Sequence, residues 1–140
     1  MKRYIIILIV ALSLTACRQH SEHWETLTQV ESYIEERPDS ALVVLQDINN
    51  EELANDEERA KHALLLSMAL DKNYIDKTDF EVLQPAIDYY EDNGTATDKL
   101  RTYFYQGRIY QNAGNDALAM ESFVKAISEG EESDDILTKA

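Results

Sequence analysis

The chain has few of the residues that make sharp turns, with 4 glycines and 2 prolines among 140 residues. Folds built from many short strands need such turns often, so this scarcity argues against a β-rich architecture. No segment has a convincing strand pattern. Leu, Ala, Glu and Asp are abundant instead, and this composition favours helices. We therefore expect an all-α fold.

Cysteine and positive charge are also scarce. Cys17 is the single cysteine, so the chain cannot form an internal disulfide. The 13 Lys and Arg residues are outnumbered by 27 Asp and Glu residues, which gives a net charge of −14. Nucleic acids and anionic lipid surfaces attract clustered cations, so the charge argues against both as direct partners. Solubility alone can account for the acidity.

The N-terminal segment has the features of an export signal. Lys2 and Arg3 precede an apolar run over residues 4–14, and small residues then lead to Cys17. This order is typical of a secretory signal peptide, and the run is too short for a spanning helix of about 20 residues. Leu14-Thr15-Ala16-Cys17 resembles a bacterial lipobox. The resemblance implies that residues 1–16 are removed and that Cys17 is lipidated.

An anchored Cys17 would set the location of the protein. Two or three acyl chains, palmitate among them, would hold it stably on a membrane. Residues 17–22 would be a short polar tether, and the mature charge would be 11 − 27 = −16 once Lys2 and Arg3 are lost. Because no acidic run follows Cys17, we expect an outer-membrane lipoprotein of the cell envelope that faces the periplasm. An uncleaved anchor or an ordinary signal peptide cut nearby remains an alternative.

Apolar residues at three- and four-residue steps predict six helices after the tether. Their expected spans are about 21–36, 39–49, 56–70, 79–93, 98–112 and 116–129. The third is apolar nearly all round over residues 63–70, so other helices must cover it on two sides. Pro85 falls inside the fourth, in an early turn or at a kink. Residues 131–140 are predicted to be an acidic, frayed tail.

The helices fall into pairs, and the last pair carries a repeat pattern. Its residues are Tyr103, Gly107, Tyr110, Ala119, Phe123 and Ala126. Small Gly107 and Ala119 would let two helices approach closely, and the aromatic residues would fill the space around them. Residues 100–133 closely resemble a tetratricopeptide repeat, although Gln106 stands where the family usually has an apolar residue.

The resemblance implies a short solenoid of about three antiparallel hairpins over residues 23–130. The first pair, with Trp24, Leu27 and the stretch at residues 38–48, fits the repeat less well. The middle pair is degenerate, with Ser67 at the small position. Together with the lipobox, these features resemble tetratricopeptide lipoproteins of Bacteroides-type bacteria, which are usually far longer. A plain six-helix bundle is the alternative.

Few residues suggest catalysis or metal binding. His20 and His23 lie in the tether or first turn without metal-site spacing, and His62 is predicted to be a solvated or edge residue. Paired acids, Glu57-Glu58 among them, are predicted to be solvated or to complement helix N-termini. No phosphate-binding glycine loop or nucleophile elbow is present. We expect no enzyme activity, cofactor or metal.

One helix face suggests binding. Arg101, Phe104, Arg108 and Gln111 follow at steps of three, four and three in the fifth helix, so they share one side. The tetratricopeptide resemblance implies that this side lines a peptide-binding groove. An arginine can bind a carboxylate through two parallel hydrogen bonds, so we expect the groove to bind an acidic side chain or a C-terminal carboxylate. The alternative is that Arg101 and Arg108 pair with acids of a neighbouring helix and bind nothing.

These features predict a membrane-tethered scaffold that docks an envelope protein or a peptide segment. A sensory or regulatory input domain of a longer protein is one alternative. An accessory subunit of an outer-membrane uptake system is another, in which case the groove would serve a glycan. The sequence does not identify the partner.

Overall fold

The computed structural model describes residues 21–131, and within this range the chain is all-α, as predicted. Six α-helices and one 3-10 turn, at Asn50–Glu52, account for its regular structure. The helices are α1 (Glu22–Tyr33), α2 (Pro38–Asp47), α3 (Asp56–Lys72), α4 (Gln84–Asn93), α5 (Ala96–Asn112) and α6 (Asp116–Glu131). No helix of these residues is both long and apolar enough to cross a bilayer. The predicted signal peptide, Cys17 and most of the acidic tail lie outside the described residues.

α1 begins at Glu22, inside the segment 17–22 predicted as a tether. Ser21 is its N-cap, and the Ser21 hydroxyl accepts a hydrogen bond from the backbone N–H of Trp24. The same hydroxyl donates to the carboxylate of Glu58 in α3. Ser21 therefore caps α1 and also connects the start of this helix to α3 by a hydrogen bond.

The two prolines decide where α2 and α4 begin. Pro38 lies in the first turn of α2, where its missing N–H costs no helical hydrogen bond. Pro85 occupies the same kind of position in α4, so it produces no kink. α4 consequently begins at Gln84, later than the predicted start near residue 79. Leu83 lies just before the helix but is fully buried.

α3 is the centre of the core. It packs against α1, α2, α4 and α5, which confirms that its all-round apolar surface is covered on more than one side. Ten of its residues are buried, and Leu65 and Met68 are among the largest fully buried side chains. Packing against α3 therefore joins the first two helix pairs and α5 into one core.

Two polar residues of α3 correct the sequence prediction. His62 is only 4% exposed rather than solvated, and its Nε2 lies 2.8 Å from the carbonyl oxygen of Leu45. Glu58 is only 2% exposed, and it accepts a hydrogen bond of 2.8 Å from the backbone N–H of Ala54. Both side chains reach partners on neighbouring segments, which is why burial does not leave them unsatisfied.

α5 and α6 form the closest pair. Thr95 and Asp98 make a capping box at the start of α5, which begins at Ala96, two residues before the predicted start. α5 ends in a Schellman motif, because the N–H groups of Gly114 and Asn115 bond to the carbonyls of Gln111 and Tyr110. Gly114 has φ +77°, which suits glycine. The turn brings α6 back onto α5.

Candidate functional site

The predicted face of α5 lies beside α1 and α3, and both of its arginines are in ion pairs. Arg101 Nη1 donates to Glu31 Oε1 of α1 at 2.8 Å. Arg108 Nε donates to Asp71 Oδ1 of α3 at 2.9 Å, and its Nη1 donates to Gln111 at 2.6 Å. The structure thus contains the ion pairs between these arginines and acids of neighbouring helices that the sequence analysis gave as an alternative. Peptide binding by this face stays a prediction.

Glu31 connects three helices through their charges. One carboxylate oxygen accepts from Arg101 of α5 and the other accepts from Lys61 of α3. Lys61 Nζ also lies 5.1 Å from the centroid of the Trp24 ring, within range of a cation–π contact. Lys61 and Arg101 are largely covered, with side chains 15% and 21% exposed. We call Glu31, Lys61 and Arg101 the three-helix charge cluster.

Phe104 is a packing residue as much as a surface residue. Its ring centroid lies 5.1 Å from that of Tyr105 and 5.8 Å from that of Phe123. It is only partly buried, so part of its ring remains exposed. The four predicted residues therefore do share one side of α5, with Phe104 as the apolar member.

A small cavity lies next to Arg108, between α3 and α5. It has a volume of about 20 Å³, enough for one water-sized group. Ser67 and Tyr105 line it together with Asp71 and Arg108. The hydroxyl oxygen of Ser67 is buried and has no hydrogen-bond partner among residues 21–131. Burial, with Asp71 and Glu35 nearby, raises the pKa of Tyr105, so this phenol stays neutral and can donate a hydrogen bond.

The sequence did not identify Ser67 or Asp71 as site residues. Ser67 stood in the small position of the degenerate middle pair, and Asp71 falls just after the predicted end of the third helix, near residue 70. Both lie near the end of α3, which extends to Lys72. Their relation to Arg108 depends on how α3 and α5 pack, and no local pattern reveals that. Glu31 and Lys61 were missed for the same reason.

Of the six predicted packing residues, three belong to α5 and three to α6. Ala119 and Ala126 are 4% and 3% exposed. The ring of Tyr110 meets that of Phe80 at 4.9 Å, and Tyr103 lies 5.9 Å below Lys125 Nζ. A Cβ atom built on Gly107 would approach Phe123 Cε1 to 2.5 Å. The predicted close approach at Gly107 is therefore present.

The remaining predicted site residue is Cys17, which lies outside the described residues. Among residues 21–131, no group of three or more His, Cys, Asp or Glu side chains could hold a metal ion. Burial is the main cause that lowers the pKa of His62, and its Nε2 is engaged by Leu45. These features describe a structural histidine.

Comparison with known proteins gives no relative from which a function could be transferred. No protein family, curated protein or solved structure matches the chain.

Proposed function

We propose that this protein is a non-catalytic docking scaffold, anchored to the outer membrane through Cys17 and built as a tetratricopeptide-like stack of helix pairs. The observation that carries the proposal is the side of α5 that lies toward α1 and α3, where Arg101 and Arg108, on either side of Phe104 along the helix face, pair with acids of these two helices. This surface combines two guanidinium groups and an aromatic ring within reach of one extended segment.

The arrangement of contacts supports the repeat-like stack. Consecutive helices pack together, and α3 also contacts α1 and α5, the first helices of the preceding and following pairs. Such side-by-side contact between first helices is what a stack of hairpins requires. The near-contact of Gly107 with Phe123 supports the tetratricopeptide-like form of the third pair.

The ion pairs suggest how a segment would dock. Arg108 is one third exposed, at 33%, and its acid Asp71 is 22% exposed. An incoming carboxylate would replace Asp71 as the acceptor from Arg108, while Phe104 would contact the apolar part of the segment. Because the acid already present must be displaced, docking favours a ligand that makes both contacts over a free carboxylate.

The proposed lipid tether would assist docking by raising the local concentration of the scaffold. Fixing the scaffold to a membrane raises its effective concentration toward any partner held on the same surface. A modest intrinsic affinity is then sufficient for capture.

Site-specific photo-crosslinking in cells tests the proposal. A crosslinker at exposed Gln111, on the proposed face, should give an adduct that a crosslinker at exposed Gln46 of α2 does not give. Arg101→Gln with Arg108→Gln should remove this adduct, and Arg108→Lys should weaken it because lysine lacks the two-pronged geometry. Cys17→Ser should lower its yield. Identical adducts at both positions, or an adduct that survives in a folded double variant, would rule out docking at this face.

A further inference from the structure

The outer side of α6 carries an uncovered apolar stripe. Met120, Val124 and Ile127 are 64%, 57% and 56% exposed and follow at steps of four and three, so they share one side of the helix. We call these three residues the α6 stripe. Each of α1 to α5 packs against at least two other helices, whereas the extensive packing of α6 is against α5. The stripe is therefore an apolar helix surface that no described helix covers.

The charges around the stripe are negative. Asp116 precedes Met120 by one turn and Glu131 follows Ile127 by one turn, so both lie at the ends of the stripe on its own side. Both are exposed. Lys125 is the single cation of α6, and it bonds to Glu121 at 2.9 Å while lying over the Tyr103 ring. That position is on the α5 side, so the cation does not offset the acids at the ends of the stripe.

We propose that the α6 stripe docks a cationic amphipathic helix of another protein. A helix with apolar residues at i, i+4 and i+7 would match the spacing of Met120, Val124 and Ile127. Lys or Arg residues beside its apolar residues would face Asp116 and Glu131. The net charge of −14 favours such a partner and opposes a second copy of this chain, since two acidic surfaces repel each other.

This surface is separate from the proposed groove. The groove residues lie on α5 toward α1 and α3, whereas the stripe lies on the side of α6 that points away from its buried residues Ala119, Ser122 and Ala126. The scaffold would thus hold a segment on one surface and a helix on another. Loss of one function would leave the other intact.

Synthetic peptides test the inference. The complete chain, reconstituted in nanodiscs of zwitterionic lipid, is titrated into a labelled peptide with Leu at i, i+4 and i+7 and Lys at the remaining surface positions. Fluorescence anisotropy is read against empty nanodiscs. One control peptide has the same composition in an order that places no two Leu residues on one side, and a second has Glu in place of Lys. We expect the amphipathic cationic peptide to bind at least about tenfold more tightly than either control.

Two sets of variants separate apolar contact from general charge attraction. M120S/V124S/I127S should weaken binding about tenfold or more, because it removes apolar contacts without changing charge. Val43→Ser, at a residue of α2 that is 69% exposed, is the matched control and should bind like the wild type. Asp116→Lys with Glu131→Lys keeps the stripe and should reduce the preference for the Lys peptide over the Glu peptide.

Four results would overturn the inference. Equal binding of the reordered Lys peptide would show attraction by charge alone. Dimerisation in sedimentation that M120S/V124S/I127S abolishes would make a second copy the occupant. Binding that appears only after removal of residues 132–140 would make the chain's own C-terminal segment the occupant. Quenching of a fluorophore at position 124 by lipid-borne quenchers would place the stripe against the bilayer.

Discussion

Gly107 of α5 and Phe123 of α6 are in such close contact that no side chain fits between them. A Cβ atom on Gly107 would lie 2.5 Å and 2.7 Å from two ring carbons of Phe123, well inside contact distance. The ring also packs against Phe104, with centroids 5.8 Å apart. Moving it to admit a methyl group would therefore disturb a second aromatic contact. Gly107 sets how closely α5 and α6 approach.

Gly107→Ala should destabilise the protein in spite of the higher helix propensity of alanine. Overpacking costs about 1–3 kcal/mol, and the gain in propensity offsets up to about 1 kcal/mol of it. We expect a net loss of about 1–2 kcal/mol in the free energy of unfolding, measured by urea denaturation. In a Phe123→Ala background the same substitution should be neutral or stabilising. An equal loss in both backgrounds would mean that Phe123 is not the obstacle.

The ends of α3 and α5 allow a matched test of backbone strain. Both are Schellman motifs: the N–H groups of Tyr74 and Ile75 bond to the carbonyls of Asp71 and Leu70, as those of Gly114 and Asn115 do at α5. The residue in the left-handed conformation is Gly114 in one motif and Tyr74, with φ 60°, in the other. Tyr74 is 93% exposed, so few contacts compensate for its strain.

Tyr74→Gly should therefore stabilise the protein by about 0.5–1 kcal/mol, since relief of strain exceeds the added entropy of the unfolded chain. Tyr74→Asn should give a smaller gain in the same direction, because asparagine tolerates this conformation. Gly114→Ala should destabilise by about 1 kcal/mol. Thermal unfolding of the three variants checks the order. A destabilised Tyr74→Gly would show that the tyrosine makes a stabilising interaction that outweighs its strain.

The sequence was sufficient to predict the helices but not the contacts between them. Apolar spacing predicted all six helices of the described region, since each must bury one side. Errors occurred where caps and prolines decide the boundary. Thr95 starts α5 early through its capping box, and Pro85 delays α4 by occupying its first turn. The residues that cap or start a helix are visible in the sequence, but neighbouring candidates compete to set the first residue of the helix.

The polar contacts could not be predicted because their partners are distant in sequence. Arg101 and Glu31 are separated by 70 positions, and His62 and Leu45 by 17. A histidine beside a lysine on a helix looks solvated unless the position of α2 is known. The face of α5 was foreseeable from spacing alone, whereas the acids opposite it depend on tertiary packing.

His62 should make stability depend on pH. Burial lowers its pKa below the ordinary value of 6.5, so the unfolded state binds the proton more readily than the folded state. Its contribution to stability is therefore present above pH 6.5 and is lost as the pH falls from there through the folded pKa. His62→Gln keeps a donor for Leu45 and should flatten the unfolding free energy across this window. An unchanged slope in His62→Gln would contradict the assignment.

Ser21 and Glu58 should act as a unit at the start of α1. Ser21→Ala removes the N-cap, which costs about 1 kcal/mol, and it also removes a donor to the buried Glu58 carboxylate. Glu58→Gln weakens the same contact from the other side. In a double-mutant cycle the two losses should be less than additive, by about 0.5–3 kcal/mol. Faster amide exchange confined to the first turn of α1 should accompany Ser21→Ala, while additive losses would show that the contact is not coupled.

Glu31 should be the most sensitive member of the three-helix charge cluster, because its carboxylate is the group that both Lys61 and Arg101 contact. Glu31→Gln should cost about 1–3 kcal/mol, in the range for hydrogen bonds to charged groups. We expect a cost below the upper end of this range, because the Glu31 side chain is 32% exposed and water screens part of the interaction. With Lys61→Met and Arg101→Met both in place, Glu31→Gln should cost much less, since the two cations that contact this carboxylate are then absent. Urea denaturation at low and high salt measures these differences, and a loss that is unchanged by removing both cations would place the role of Glu31 outside the cluster.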